Sequence, residues 1–507
     1  MIHTGMLLTR NARKFPEKEA LVFEDKRYTY RELNELANRL ANELASRGVK
    51  KGDKVGMLSF NSDSFVIAYF AVMKIGAVVV PLNFRLAPPE VEYILDNCDA
   101  VACLLGSEFV PLAREIRDRL PAVKDWILLD GEREEDFLYF PEIAAGGDSS
   151  EPQVDINLFD ESAIIYTSGT TGKPKGAVFN HYCHLMIGTA MMSELGMNEK
   201  DRILHVAPLF HSAELHLYLW PGTFLGATHE VMKFFIPEQT LQTIERERVT
   251  LFFGAPAMYL LMMQVPDFEK YDLSSVRYWA YGAAPMSREQ VLKAIEMFKT
   301  DRFFCLCGLT EGGPGGVRLR PEDQVRKAGA GGLPVVNCES RVVNEKGEDV
   351  AVGEVGEWLV RCESNMLYYY KNPEATAETL TPDGWVRTGD LAVVDEEGYV
   401  TLVDRKKDMI ISGGENIYPR EIENVLLTHP KVADVAVVGV PHEIYGETVK
   451  AFVVLKPETE ATPEELREFC VGKLGDFKIP RLWEFVDALP RNPSGKVMKY
   501  VLRGQSG

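Results

Sequence analysis

Leu33, Leu36, Leu40 and Leu44 recur at the spacing of one helical face. Thr29 and Glu32 form a capping box ahead of them, and Gly48 closes the segment. Val55-Gly56-Met57-Leu58 follows as an apolar run of strand length. The longest apolar stretch, residues 65–82, is interrupted by Lys74 and Gly76 and ends at Pro81. It reads as a buried helix running into a strand, not as a membrane span. Similar couplets recur near residues 90–105 and 240–253. This alternation predicts an α/β fold: a large N-terminal domain of mostly parallel sheets layered with helices.

The pattern changes at about residue 335. Short strands at 340–344 and 356–361, joined through the turn Glu345-Lys346-Gly347, predict a β-rich subdomain over about 335–403. Next comes the charged run Asp404-Arg405-Lys406-Lys407-Asp408, between a strand at 399–403 and the apolar Met409-Ile410-Ile411. A run of this kind suits a solvated turn and a hinge equally. Beyond it lies a helix opening near Pro419 with Ile422, Val425 and Leu426 inward. Strands at 435–440 and 451–455 and a helix capped at Thr462 complete a small α+β unit. The predicted organisation is an N-terminal domain over 1–403, a linker at 404–408 and a C-terminal domain over 409–507.

Composition narrows the chemistry. At 507 residues the chain is too long for one core, and a formal net charge of −19 disfavours nucleic acid or an anionic membrane as partner. An anionic substrate must then be held by locally concentrated cations. The eight cysteines are scattered with no CxxC pair, which suits a reducing, cytoplasmic setting. Cys305 and Cys307 alternate along one strand face and read as packing rather than as a metal pair. The first twenty residues lack the sustained apolar core and cleavage site of a secretory leader.

One segment carries most of the functional information. Thr167-Ser168-Gly169-Thr170-Thr171-Gly172-Lys173-Pro174-Lys175-Gly176 crowds glycines, hydroxyls and lysines between two apolar runs, Ala163-Ile164-Ile165-Tyr166 and Ala177-Val178-Phe179. Glycines let backbone N–H groups close around an anion, hydroxyls donate further hydrogen bonds, and lysines add charge. That is a polyphosphate cradle. It is not a Walker loop, because only two residues separate Gly169 from Gly172, Pro174 follows Lys173, and the next helix, capped by Asn180, starts only after a second strand.

Further clusters suit a nucleotide. Tyr281-Gly282-Ala283-Ala284-Pro285 ends a strand in small residues, leaving room for a flat ring. Gly308-Leu309-Thr310-Glu311 places a hydroxyl and a carboxylate after another strand end, where open α/β sheets bind ligands. Glu311 could hold magnesium against phosphate oxygens. Asp390, in Thr388-Gly389-Asp390, offers a carboxylate to ribose hydroxyls. Lys496 is presented by the turn Asn492-Pro493-Ser494-Gly495.

Together these segments resemble the acyl- and aryl-CoA synthetases of the adenylate-forming (AMP-binding) superfamily over essentially the whole chain. The resemblance rests on YTSGTTGKPKG at 166–176, APLFH at 207–211, YGAAP at 281–285 and GLTE at 308–311. It continues with TGD at 388–390, DRKKDMIISGGENIYPREIE at 404–423 and PSGK at 493–496. What it implies is a two-step reaction. A carboxylate attacks the α-phosphate of ATP with magnesium, giving acyl-AMP and pyrophosphate, and the CoA thiol then displaces AMP.

The resemblance also implies roles. Thr167, Ser168, Gly169, Thr170, Thr171, Gly172 and Lys175 would hold phosphates, with Thr170 a second candidate toward magnesium. Thr310 and Glu311 would organise the α-phosphate and the metal. Gly282, Ala283, Ala284 and Cys307 would border adenine, and Asp390 and Arg405 the ribose. Cys307 departs from the pattern, which usually has an aromatic ring there; a neighbour such as Tyr281 could substitute.

Lys496 would bridge the carboxylate and the α-phosphate. Lys407 falls at the family's hinge, about which the small domain rotates between half-reactions. Rotation would bring Ser412, Gly413, Gly414 and Glu415 to the pantetheine arm of CoA. His211, Gly308 and Gly312 would line the acid pocket, where His211 either gates the acid or packs. The expected substrate is a fatty or other hydrophobic acid, with aryl acids and transfer to a carrier-protein thiol as alternatives. Members of the family are often homodimers.

Overall fold

The computed structural model describes residues 3–167, 173–282, 286–413, 415–491 and 496–504. The chain divides into two compact units, 1–340 with 360–387, and 341–359 with 388–507. The β-rich segment expected at about 335–403 is thus shared between them.

Two sheets dominate the first unit among the described residues. One runs Tyr368–Tyr369, Lys175–Asn180, Glu161–Thr167, Val78–Pro81, Lys54–Leu58, Ala100–Leu105, Asp125–Leu128 and Leu138–Tyr139. Its pairs are parallel from Glu161–Thr167 onward and antiparallel before it. The other runs Leu333–Pro334, Gly316–Leu319, Phe303–Gly308, Tyr278–Gly282, Leu251–Gly254, Arg202–His205, Thr228–Val231, Glu19–Phe23 and Lys26–Thr29. The helix Asp63–Lys74 is buried along its whole length and touches strands of both sheets. This all-round burial explains its apolar sequence.

Local signals behave as their chemistry requires. Helix Tyr30–Ser46 begins with the Thr29/Glu32 capping box and buries Leu33, Leu40 and Leu44, with Leu36 packed at the margin. Lys74 ends the apolar helix inside the protein, where its ammonium pairs with Glu151 at 2.8 Å and donates to Thr9 at 2.6 Å. No described helix is long and apolar enough to cross a membrane.

In the second unit the helix Pro419–Leu427 buries Ile422 and Leu426 against the paired strands Val432–His442 and Gly446–Leu455. Thr462 caps Pro463–Cys470 by accepting from the Glu465 N–H. The charged run ends strand Val400–Arg405 and continues as a 3-10 turn, Lys406–Asp408, in which Asp408 is buried and paired with Arg503 at 2.9 Å.

One finding corrects the reading of scattered cysteines. Cys338 and Cys362 form a disulfide across the neighbouring strands Cys338–Val343 and Gly356–Cys362. Their separation of 24 residues has no motif form; only the pairing of the strands brings them together.

Candidate functional site

The apolar runs flanking the phosphate segment form antiparallel partners, Glu161–Thr167 and Lys175–Asn180, with Thr167 opposite Lys175. The side-chain oxygen of Asn180 then caps helix His181–Glu194 by accepting from Cys183. The two apolar runs are therefore neighbouring strands of one antiparallel pair. Ser168, Gly169, Thr170, Thr171 and Gly172 lie outside the described residues. Ala283, Ala284 and Gly414 lie outside them too.

Glu311 meets the base of this hairpin. Its Oε1 accepts from the Tyr369 hydroxyl at 2.6 Å and from the Thr167 hydroxyl at 3.4 Å. Lys175 Nζ lies 4.6 Å from the centre of the same Tyr369 ring. Burial, then the Glu311 charge, raises the Tyr369 phenol, so it stays a donor. Tyr369 thus orients the carboxylate and underlies the Lys175 ammonium. Sequence reasoning missed it, although the run Tyr368-Tyr369-Tyr370-Lys371 was a visible signal.

The backbone around Glu311 is fastened by a segment 50 residues downstream. Met366 N–H donates to Glu311 C=O at 2.8 Å, and the Ser364 hydroxyl donates to Gly312 C=O at 2.8 Å. Gly313 has φ +79°, and a Cβ there would fall 1.9 Å from the Ser364 carbonyl oxygen. Gly313→Ala is expected to cost about 2–5 kcal/mol from overpacking and left-handed strain together. A urea midpoint measurement checks this, and an unchanged midpoint would refute the packing argument. On the other side Thr310 Oγ1 lies 3.3 Å from the Ser212 hydroxyl.

The small residues have packing reasons of their own. A Cβ on Gly282 would meet the Leu306 carbonyl at 2.6 Å, and one on Gly308 the Pro314 carbonyl at 2.4 Å. Cys307 is half-buried at the end of strand Phe303–Gly308. Tyr281 does not replace the missing aromatic ring. It is 1% exposed, and its hydroxyl bonds Gln324 at 2.9 Å within the aromatic core. His211 is exposed and caps the short helix Ser212–Glu214, its Nδ1 accepting from Ala213 N–H at 3.2 Å.

Directly after His211 lies a buried polar chain that sequence reasoning did not find. Glu214 Oε1 sits 2.5 Å from His205 Nδ1, His205 Nε2 is 2.9 Å from His229 Nδ1, and His229 Nε2 is 3.0 Å from the Thr223 hydroxyl. Thr223 donates onward to Leu219 C=O at 2.8 Å. One direction of donation satisfies the whole chain: Glu214 protonated, both imidazoles neutral. Burial drives this assignment, raising the Glu214 carboxyl and lowering His205 to about 3 and His229 well below its usual value. The turn Leu215–Leu219 between these groups is π-helical, a form often found at functional positions.

In the second unit Asp390 and Arg405 stand opposite each other on neighbouring strands, joined at 2.7 Å. Burial raises the Asp390 carboxyl, opposed by the charges of Arg405, Arg420 and Lys496. Lys496 therefore acts electrostatically on the expected ribose carboxylate. The hinge candidate Lys407 has its ammonium pushed down by partial burial. Ser412 and Glu415 face each other at the end of a hairpin, with Gly413 at φ +61° donating to Tyr445 C=O at 2.8 Å.

A cavity of about 590 Å³ in the first unit contains none of the expected site residues; Cys338, Arg361, Cys362 and Met366 are among its walls.

These features define an adenylation enzyme, and the comparisons agree. The AMP-binding enzyme family matches residues 8–370, and the AMP-binding enzyme C-terminal domain matches residues 421–496. The chain belongs to this family, within its acyl- and aryl-CoA ligases. The long-chain-fatty-acid–CoA ligase FadD13 of Mycobacterium tuberculosis is 37% identical over 100% of this chain and 99% of its own length. Feruloyl-CoA synthase of Amycolatopsis sp is 36% identical over 99% of each chain. The crystal structure of the anthranilate CoA ligase AuaEII in complex with anthranoyl-AMP has a TM-score of 0.92 at 30% identity, covering 100% of this chain and 97% of that one.

Proposed function

We propose that the protein is an AMP-forming carboxylic acid–CoA ligase acting through an acyl-adenylate on a hydrophobic acid. The observation that carries this reading is the placement of Glu311. Its carboxylate is held by Tyr369 and Thr167 at the base of the phosphate hairpin, in a chain related to acid–CoA ligases along its whole length.

The acid's carboxylate oxygen attacks the α-phosphorus, and pyrophosphate leaves. The CoA sulfur then attacks the acyl carbon, and AMP leaves. Two anions meet in the first step, so preorganised cations supply most of the stabilisation. Lys175 serves the departing phosphates, Thr310 the α-phosphate, and Lys496 the meeting point of carboxylate and phosphorus. Asp390 and Arg405 serve the ribose.

A single oxygen-donor carboxylate at Glu311 suits magnesium, which takes one or two protein carboxylates and completes its shell with phosphates and water. When bound, magnesium neutralises phosphate charge. The segment 404–408 is proposed as the hinge between half-reactions, with Ser412–Glu415 on the CoA side. The proposed cell compartment is the cytoplasm.

An aryl acid is the second reading, favoured by the similarity to a feruloyl-CoA synthase and an anthranilate CoA ligase. ATP–pyrophosphate exchange over a panel of fatty and aryl acids tests the function. The expected result is exchange with a hydrophobic subset, and AMP release only when CoA is added. No exchange with any acid would overturn the reading. Release with a carrier-protein thiol but not with CoA would replace the acceptor.

A further inference from the structure

We propose that the Cys338–Cys362 disulfide is a reversible thiol–disulfide site that sets the position of the Glu311 loop. The part of this inference that concerns catalysis rests on the ligase reading above. The bond lies against that loop: a Cβ on Gly315 would fall 2.8 Å from Cys338 Sγ and 2.9 Å from Cys362 Sγ. Cys362 also begins the segment that fastens the loop. Its N–H donates to the Asn365 side chain at 3.2 Å, and Ser364 and Met366 hold the Gly312 and Glu311 carbonyls.

The bond is reachable. Both cysteines line the cavity of about 590 Å³, Cys338 is half-buried, and Cys362 is 6% exposed. The other six cysteines are thiols, and of these all but Cys307 are buried.

The chemical partner is a dithiol reductant. One of its thiolates attacks Cys338 Sγ, the S–S bond breaks, and the Cys362 sulfur leaves as a thiolate. The second thiolate then displaces Cys338 Sγ from the mixed disulfide. Two electrons and two protons pass to the cysteines, and the dithiol closes to its own disulfide. Two thiols cannot stay at bonding distance, so the sulfurs separate beneath Gly315. The backbone they touch must shift, and with it the anchoring of Gly312 and Glu311.

The test equilibrates the full-length protein in dithiothreitol buffers of graded reducing strength. Thiol alkylation with mass spectrometry and hydrogen exchange are then read on the same samples. Cys338 and Cys362 are expected to become labelled together, with faster exchange at the Glu311–Gly316 and Met366 amides, both reversed on reoxidation. ATP–pyrophosphate exchange is expected to fall about tenfold along the same titration, the low end for loss of an outer support of a site. The double variant Cys338→Ser/Cys362→Ser should hold the reduced rate and no longer respond to reductant.

Labelling of both cysteines under oxidising conditions would overturn the proposal. So would unchanged amide exchange on reduction. Both readouts are independent of turnover, so an absence of pyrophosphate exchange in every state would count against the ligase reading alone.

Discussion

Replacing Lys496 with alanine is expected to slow adenylate formation by roughly two to four orders of magnitude, the cost of losing one preorganised charge. In the first half-reaction a carboxylate approaches a phosphate, and both carry negative charge. A lysine at their meeting point favours the pentacoordinate state, in which that charge is concentrated. The charge of Lys496 already lowers the Asp390 carboxyl against the effect of burial, so it acts within the proposed nucleotide-binding set. Thioester formation from supplied acyl-AMP involves no attack on phosphorus and should be retained. ATP–pyrophosphate exchange measures the first step, and thioester formation from synthetic acyl-AMP measures the second. Equal losses in both would refute the assignment of Lys496 to the first step.

The second large effect is acid lability. Burial lowers His181, His205 and His216 to about 3, and takes His184 and His229 well below the ordinary imidazole value. Below about pH 6.5 the unfolded chain binds protons at these positions while the folded chain does not, so stability falls as pH falls. Each imidazole costs about 2 kcal/mol by pH 5.

The carboxyls of Glu214 and Glu230 act with the opposite sign. Glu214 is raised well above its ordinary value and Glu230 is raised to about 8. Both stay protonated in the folded chain, so they destabilise as pH rises above about 4.5 and recover as it falls. The lowered imidazoles, His3 included, outnumber the raised carboxyls, Asp390 included. Stability therefore falls between pH 6.5 and 5.

Calorimetric Tm against pH tests this, and a flat profile from 6.5 to 5 would refute it. Neither ring nitrogen of His216 has a hydrogen-bond partner, so His216→Phe removes one proton-uptake site at little polar cost. The variant should lower the pH slope by about one proton.

Much of the fold was legible in the chain. The capping box at Thr29/Glu32, the apolar helix ending at Lys74 and the hairpin around the phosphate loop all follow from spacing alone. Local structure depends on neighbours within a few residues, and those are adjacent in sequence. The catalytic candidates were legible for a different reason. Thr310, Glu311, Asp390 and Lys496 sit in short segments whose order resembles a known family.

What holds those candidates was not legible. Tyr369 and Thr167 reach Glu311 from positions 58 and 144 residues away, and Ser364 lies 52 residues from Gly312. Tyr281 looked available as a ring face until packing placed it against Gln324. The Glu214–His205–His229 chain joins two strand ends to a helix and has no spacing signature.

By itself, then, the sequence determined the α/β architecture and, through its resemblance to a known family, the adenylate-forming chemistry and the residues proposed for phosphate and ribose. The first is written in contiguous runs whose periodicity has a local physical meaning, the others in short segments whose order matches that family. Tertiary structure alone decided how Glu311 is oriented, that Cys338 and Cys362 are joined, and that a glutamate stays protonated among neutral histidines. Each of these depends on groups far apart in the chain meeting where water is excluded. There, hydrogen-bond partners and the cost of burying charge, not residue order, set the chemistry.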